Sequence, residues 1–388
     1  MKFDFYLSEM SVSDKHGGGL TLQRILGADL NDIDHFVHVN RFAMDLHVKD
    51  GLPGRSHDLL SIWESDWMRK LIGRSRASSM SKRLGMIKLH ANGAAKKMAA
   101  IFKHKQELTG LVCPQGANAI FTLEALKKIK QVKYITWVMD DHLVSYVNDA
   151  WQYPAGTEAI FGKHLREAEH VFVISPAMQA FYKERFGVAS SVLFGSSGTV
   201  EKGASSKKIS GPLKIGYFGA VAAWQRDALK AVAAALKATD TQLYIYSGVE
   251  RLPDDILLDG VHFKGSVAPQ EVLTEMQNYD AVLLPISFQQ KIRNMSQFNI
   301  ATKMSEYLAC GVPVLAVGPP YSAMIHYLND HQAAITVASI KENDIRDGFK
   351  QLHNSQHVAG LLKNAQKLVT NEVGAEPMRR VWQAVVNS

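Results

Sequence analysis

The sequence predicts an α/β protein made of two doubly wound Rossmann-like domains. Short apolar runs alternate with helix-length amphipathic segments, and this alternation occurs twice. The two sets are separated by a stretch from 195 to 212 rich in glycine, serine and lysine. A chain of 388 residues is also too long for one ordinary core, and its 46% hydrophobic content suits packed domains.

In the first set, Phe3 to Leu7 reads as a strand, followed by the turn Lys15-His16-Gly17-Gly18-Gly19 and a helix from Leu20 to Leu30. His35 to Val39, Leu108 to Cys113, Lys133 to Met139, His170 to Ile174 and Ser191 to Phe194 are further strands, with a helix from Ala117 to Lys130. Apolar runs this continuous belong to a parallel sheet covered on both faces. After the linker come strands at Leu213 to Phe218, Gln242 to Tyr246, Val261 to Lys264, Ala281 to Leu284, Val312 to Val317 and Ala333 to Val337. Helices are expected from Asp227 to Leu236 and over residues 269–277, and helical stretches close the chain through Trp382. The domains are therefore placed at 1–198 and 213–370, with a linker at 199–212 and a C-terminal helix at 371–388 that can pack back on the first domain.

The run Ala301-Thr302-Lys303-Met304-Ser305-Glu306-Tyr307-Leu308-Ala309-Cys310-Gly311-Val312-Pro313-Val314-Leu315-Ala316 is the most informative in the chain. Met304 and Leu308 stand four apart and can face a core, whereas Lys303 and Glu306 stand three apart on another face. Gly311 ends the helix, and Pro313 opens a strand where its missing N–H is tolerable. A lysine near the positive end of a helix suits phosphate, and a carboxylate one turn on can accept from both hydroxyls of a ribose. An ordinary surface pair of roughly 0.2–0.5 kcal/mol is the alternative.

The run T-K-M-S-E-Y-L-A-C-G-V-P-V-L-A resembles the donor-site helix of the GT-B glycosyltransferases, particularly the retaining family 4 with its Glu-x7-Glu signature. The resemblance covers nearly the whole chain, specifically in the second half and loosely in the first. It implies two Rossmann-like domains facing a central cleft, a nucleotide-sugar donor, no required metal or other cofactor, and Glu306 on the nucleotide ribose. The first Glu of the signature falls on Phe298, so carboxylate contact to the transferred sugar, and with it the retaining mechanism, is not supported at that position. The family also places an Arg directly after the glycine that ends the first strand of this domain and a Lys about five residues later, both on the pyrophosphate. Here Gly219 is followed by Ala220, and Arg226 lies close to the Lys position, so Arg226 and Gly219 are donor-site candidates. An exposed first-turn arginine explains Arg226 equally well.

Gly17, Gly18 and Gly19 permit positive φ and close backbone approach at a helix start. They resemble the Gly-rich loop of the GT-B acceptor domain, although glycine clusters also make plain turns. Asp140, Asp141 and His142 follow a strand and could hold an acceptor hydroxyl or position a base. A capped helix start accounts for the same residues. No further cluster supports a metal site.

The net charge of +7 is concentrated rather than spread. Between Asp66 and Glu107 there is no acid, while Arg69, Lys70, Arg74, Arg76, Lys82, Arg83, Lys88, Lys96, Lys97, Lys103 and Lys105 exceed the whole net charge. Trp67, Met68, Leu71 and Ile72 are expected on one helical face, and Met80, Leu84 and Ile87 on another. Such a pattern fits an anionic membrane surface reached through residues 67–106, or a solvated face over a core stripe. Nucleic acid is not expected, because aromatic interleaving is poor and no accompanying motif is present. Cys113 and Cys310 stand far apart in apolar contexts, which argues against a disulfide framework. With no cleavage signal at the start and no run of apolar residues long enough to span a bilayer, a cytoplasmic protein is expected, with attachment to the inner membrane face at most peripheral.

The expected function is transfer of a sugar, hexosyl-like and with retention, from a nucleotide-sugar to a hydroxyl acceptor, a glycan or glycolipid, in bacterial surface polysaccharide synthesis. Two other readings share the frame. A sugar-nucleotide 2-epimerase would convert donor without acceptor, and a non-catalytic GT-B binding protein would fit Phe298 and Ala220.

Overall fold

The computed structural model describes residues 1–13, 17–39, 52–195, 209, 211–268 and 270–387. Lys15, His16 and most of the expected linker, 196–208 and 210, lie outside the described residues. The chain divides into a first unit of Met1–Leu193 with Arg379–Ser388 and a second unit of Phe194–Met378.

In the first unit the elements are β1 (Phe3–Ser8), α1 (Gly17–Leu26), β2 (Ile33–Val39), β3 (Arg55–Leu59), α2 (Asp66–Ile72), α3 (Arg74–Ser81), α4 (Leu84–Ile101), β4 (Glu107–Cys113) and α5 (Ala117–Leu126). They continue with β5 (Gln131–Val138), β6 (Ser145–Val147), β7 (Ala150–Gln152), α6 (Glu158–Glu167), β8 (His170–Val173), α7 (Pro176–Phe186) and β9 (Ser191–Val192). The main sheet is parallel, in the order β3-β2-β1-β4-β5-β8-β9. Alternate side chains of its strands, such as Phe5, Leu7, Val37, Val39 and Val112, pack on Ala94 and Met98 of α4 and on Leu123 and Leu126 of α5. The C-terminal residues of the chain cover other strand positions of the same unit: buried Trp382 lies against Phe3 and Phe172 and donates its indole N–H to Asp29 at 2.8 Å.

The second unit contains β10 (Lys214–Phe218), α8 (Arg226–Ala235), β11 (Gln242–Tyr246), β12 (Val261–Gly265), α9 (Val272–Met276), β13 (Ala281–Pro285), α10 (Arg293–Phe298) and α11 (Lys303–Ala309). It continues through β14 (Val314–Val317), α12 (Ala323–Asp330), β15 (Ile335–Val337), α13 (Glu342–Leu352) and α14 (Ser355–Leu368) to α15 (Ala375–Val386), whose residues from Arg379 group with the first unit. Its six parallel strands run β12-β11-β10-β13-β14-β15. The first strand of the unit is central and the order reverses beside it, which is the doubly wound arrangement whose ligand crevice lies at the carboxyl ends of the two central strands. Ile215, Leu243, Ile245, Leu283 and Leu315 form the core with Leu229 and Val232 of α8 and Phe349 of α13.

Three local expectations are corrected. The Gly17–Gly19 turn is the opening of helix α1, and none of its glycines has a positive φ. Space is what they provide: a Cβ on Gly18 would run into the Met10 thioether, and one on Gly19 into the backbone oxygens of Ser11 and Ser13. Met68 is buried while Trp67 and Leu71 are exposed, so α2 does not bury the expected four-residue face. Met80 ends in α3 and Leu84 begins α4, because Arg83 is extended between them. The β3 strand and the β6–β7 hairpin are additions to the expected elements.

Candidate functional site

Helix α11 has the expected bounds, and its burial follows the spacing. Met304 and Leu308 are buried, whereas Lys303 and Glu306 are part-exposed. Gly311 leaves the helix at φ 76°, a left-handed conformation that suits glycine. Pro313 contributes only its carbonyl to the sheet, accepting from the Val282 N–H at 2.9 Å.

The helix is fixed to the carboxyl end of β10 by Tyr307. Its hydroxyl accepts from the Phe218 N–H and donates to the Phe218 carbonyl, each at 3.0 Å. That double bond sets where Lys303 lies. A Cβ on Gly219 would overlap the Lys303 ammonium, so the glycine is what gives the amine its place at the strand end. The ammonium stands 5.3 Å from the centre of the Tyr217 ring, and the Tyr217 hydroxyl donates to the Ala220 carbonyl at 2.6 Å, holding the loop. Lys303 forms no ion pair or hydrogen bond with another described residue. Burial pushes its pKa down to about 8, and the Glu306 carboxylate pulls in the opposite direction. A half-buried ammonium held over a glycine, with no ion pair or hydrogen bond among the described residues, has donors to offer an external anion.

Arg226 is differently placed. It opens α8, is exposed, and pairs with Asp255 at 3.1 Å, where Lys230 also reaches the same carboxylate. Its neighbour Asp227 accepts from the Phe288 N–H at 2.8 Å and so ties α8 to the loop after β13. The structure thus brings Gly219, Lys303 and Glu306 together and gives Arg226 a protein partner. Phe298 is buried at the end of α10.

In the first unit, Gly18 lies beside Met139, one residue before Asp140. The Asp141 carboxylate is fully occupied: it accepts from the Leu143 and Val144 N–H groups, both at 3.1 Å, from the Tyr153 hydroxyl at 2.8 Å and from the Tyr182 hydroxyl at 3.0 Å. Burial raises its pKa against the pull of those donors. Asp140 and His142 are more open to solvent and stand 3.9 Å apart.

Sequence reasoning passed over Tyr217, Tyr307 and Glu9. Glu9 follows β1 and is buried, with its carboxylate on the Gln115 and Ala119 N–H groups at 2.9 and 2.8 Å, at the start of α5. Burial pushes its pKa up to about 7 against those bonds. An acid directly after a strand was its legible signal. Cys113 and Cys310 are both free and buried, and burial raises the Cys310 thiol to about 12. Among the described residues no group of three or more His, Cys, Asp or Glu is placed to hold a metal ion.

Residues 212–355 match the family model "Glycosyl transferases group 1". No curated protein matches the sequence. Among solved structures, HepE of Anabaena in complex with UDP and glucose is 11% identical, covering 99% of each chain with a TM-score of 0.65. Sucrose-phosphate synthase of Thermosynechococcus elongatus is 13% identical over 99% of this chain and 98% of its own, with a TM-score of 0.69. The lipopolysaccharide outer core galactosyltransferase WaaB, in its apo form, is 11% identical over 100% and 99%, with a TM-score of 0.60. At these identities the likeness establishes the fold, and the family match lies where Gly219, Lys303 and Glu306 come together. The second unit thus contains the stretch, residues 212–355, that is similar to the glycosyl transferases group 1 model, on a chain with the fold of these GT-B structures.

Proposed function

We propose that this protein transfers a hexosyl group from a nucleotide-sugar donor to the hydroxyl of a glycan or glycolipid, with retention of anomeric configuration, in the synthesis of a bacterial surface polysaccharide. The observation that carries the proposal is the ammonium of Lys303 above Gly219, which has no ion pair or hydrogen bond among the described residues and lies inside the stretch similar to the group 1 glycosyltransferase model. Bond cleavage leaves negative charge on the departing nucleoside diphosphate, and a preplaced ammonium in a part-buried site stabilises that charge more than water would. Glu306, one turn along α11, is assigned to the ribose hydroxyls. Asp140 and His142 are assigned to the acceptor hydroxyl, because Asp141 between them is occupied by four protein donors. The reading uses no metal ion or other cofactor. HepE in complex with UDP-glucose supports a nucleotide-sugar donor, and WaaB, a lipopolysaccharide outer core galactosyltransferase, supports a surface glycan as acceptor class.

The test is a panel of nucleotide sugars, first by thermal shift and then by turnover with and without glycan acceptors. A ligand at hundredfold its Kd stabilises by about 2.7 kcal/mol. Stabilisation by one donor and acceptor-dependent release of its nucleoside diphosphate are expected. Isomerisation of the donor without acceptor would replace the reading with epimerisation, and no turnover with any donor would leave a binding protein.

A further inference from the structure

The segment that opens the cationic stretch carries an apolar tip that is exposed among the described residues. Ile62, in the 3-10 turn Ile62–Glu64, and Trp67 of α2 are each 55% exposed, and Leu71 of α2 is 72% exposed. Trp67 and Leu71 stand four apart and share one face, while Met68, on another, is buried and anchors the helix. Large apolar side chains grouped on neighbouring turns mark an interaction surface rather than ordinary surface scatter.

The charge around this tip has one dominant sign. Lys70, Arg74, Arg76, Lys82 and Arg83 are all exposed, opposed by exposed Asp66 in the first turn of α2. Glu64 does not offset them, because its carboxylate is taken by the Arg69 guanidinium and by the Ser81 hydroxyl at 2.6 Å. Those bonds tie the 3-10 turn, α2 and the end of α3 into one presented unit. An apolar tip inside a cationic collar is complementary to hydrocarbon lying beneath a layer of negative charge. Nucleic acid supplies the charge without the hydrocarbon.

We propose that this face docks the protein on an anionic lipid bilayer, with Ile62, Trp67 and Leu71 entering the acyl boundary and Lys70, Arg74, Arg76, Lys82 and Arg83 meeting lipid phosphates. The docking deepens the glycosyltransferase reading, on which it rests only for its purpose of bringing the enzyme to a lipid-linked acceptor. Among the described residues no helix is long and apolar enough to cross a membrane, so the attachment is of the surface kind.

Co-sedimentation of the full chain with vesicles of phosphatidylglycerol and phosphatidylcholine in equal parts tests this, against phosphatidylcholine vesicles, soluble glycerophosphoglycerol and duplex DNA. Binding to the anionic vesicles at low salt is expected, weakened by salt. Trp67→Ser and Leu71→Ser should each weaken it about tenfold. Lys70→Gln, Arg74→Gln and Arg76→Gln should each weaken it about fivefold. If either Ser variant melts lower than wild type, Leu71→Gln replaces it. Failure of wild type to bind anionic vesicles overturns the proposal. So does loss of binding in the charge variants with none in the Ser variants, which would mark a site for a soluble polyanion, as would competition by glycerophosphoglycerol or tighter binding to DNA. Nucleoside diphosphate affinity, measured on the same samples, separates the two readings: it should be unchanged in every variant, and its absence in wild type would remove the glycosyltransferase reading while leaving the docking in place.

Discussion

Asp141 and Lys303 are charged groups drawn into the protein near the carboxyl ends of parallel strands, one in each unit, and they are treated in opposite ways. Asp141 receives four hydrogen bonds from its own chain. Lys303 receives neither an ion pair nor a hydrogen bond from any described residue, and sits against a glycine that leaves it room. Partners for a buried charge cost little when they stabilise the fold, and withholding them costs stability that only a ligand recovers. This contrast supports the proposal that Lys303 is a binding group and Asp141 a structural anchor, a distinction that the sequence, in which Asp141 could be either an acceptor-site residue or part of a capped helix start, left open.

The largest expected difference is in turnover. Lys303→Met should lower kcat/KM by about 10²–10³-fold, as loss of a preplaced donor to a developing charge does, with no loss of folding stability, because an unpaired cation has been removed. Steady-state kinetics and urea unfolding on the same variant check both halves. Asp141→Ala should do the reverse, costing about 3 kcal/mol of stability by depriving the buried Tyr182 hydroxyl, the part-buried Tyr153 hydroxyl and two N–H groups of their acceptor, with nucleoside diphosphate affinity unchanged. A variant of Asp141 that folds normally yet loses donor affinity would break the contrast.

Gly219→Ala sharpens it from the side of space instead of charge. The new methyl group displaces the ammonium, so donor affinity should fall about tenfold, with a loss of stability of about 1 kcal/mol or more because Gly219 holds φ 157°, which an L side chain rarely adopts. Tyr307→Phe is smaller still. Loss of a hydroxyl that bonds both backbone groups of Phe218 should cost about 1 kcal/mol in stability, with part of the effect visible as a higher KM through the shifted helix. Wild-type KM in a destabilised Tyr307→Phe would show that the staple serves folding alone.

Much of this was readable in the residues, and the failures have physical causes. The α11 bounds followed from a Gly stop, a Pro start and a four-residue apolar spacing, all of them local signals. The β6–β7 hairpin was passed over although Asn148 and Asp149, both at positive φ, make its two-residue turn, because its strands are too short to show a period. Strand β3, Arg55–Leu59, is mostly polar and lies at the sheet edge, so no apolar run announced it. The grouping of Lys303, Glu306 and Gly219 was legible because a helix-start lysine, a carboxylate one turn on and a strand-end glycine stand at recognisable spacings. What was not legible was occupancy: Asp255 taking Arg226, and Tyr153 and Tyr182 taking Asp141, are contacts between distant parts of the chain that no local pattern encodes.

The depressed pKa of Lys303 links the contrast to pH. The folded state holds the amine near 8 against 10.5 unperturbed, so between those values the unfolded chain binds more protons, and folding stability rises with pH across that window relative to Lys303→Met. Phosphate binding needs the charged amine and must run the other way. Calorimetric titration of nucleoside diphosphate from pH 7 to 10, on wild type and Lys303→Met, is therefore the most direct measurement. The account predicts a wild-type affinity that is flat below about 8 and then falls toward tenfold per pH unit, and a variant affinity that is weak and flat throughout. Equal affinities in the two proteins, or a wild-type affinity that does not change across that range, would contradict it.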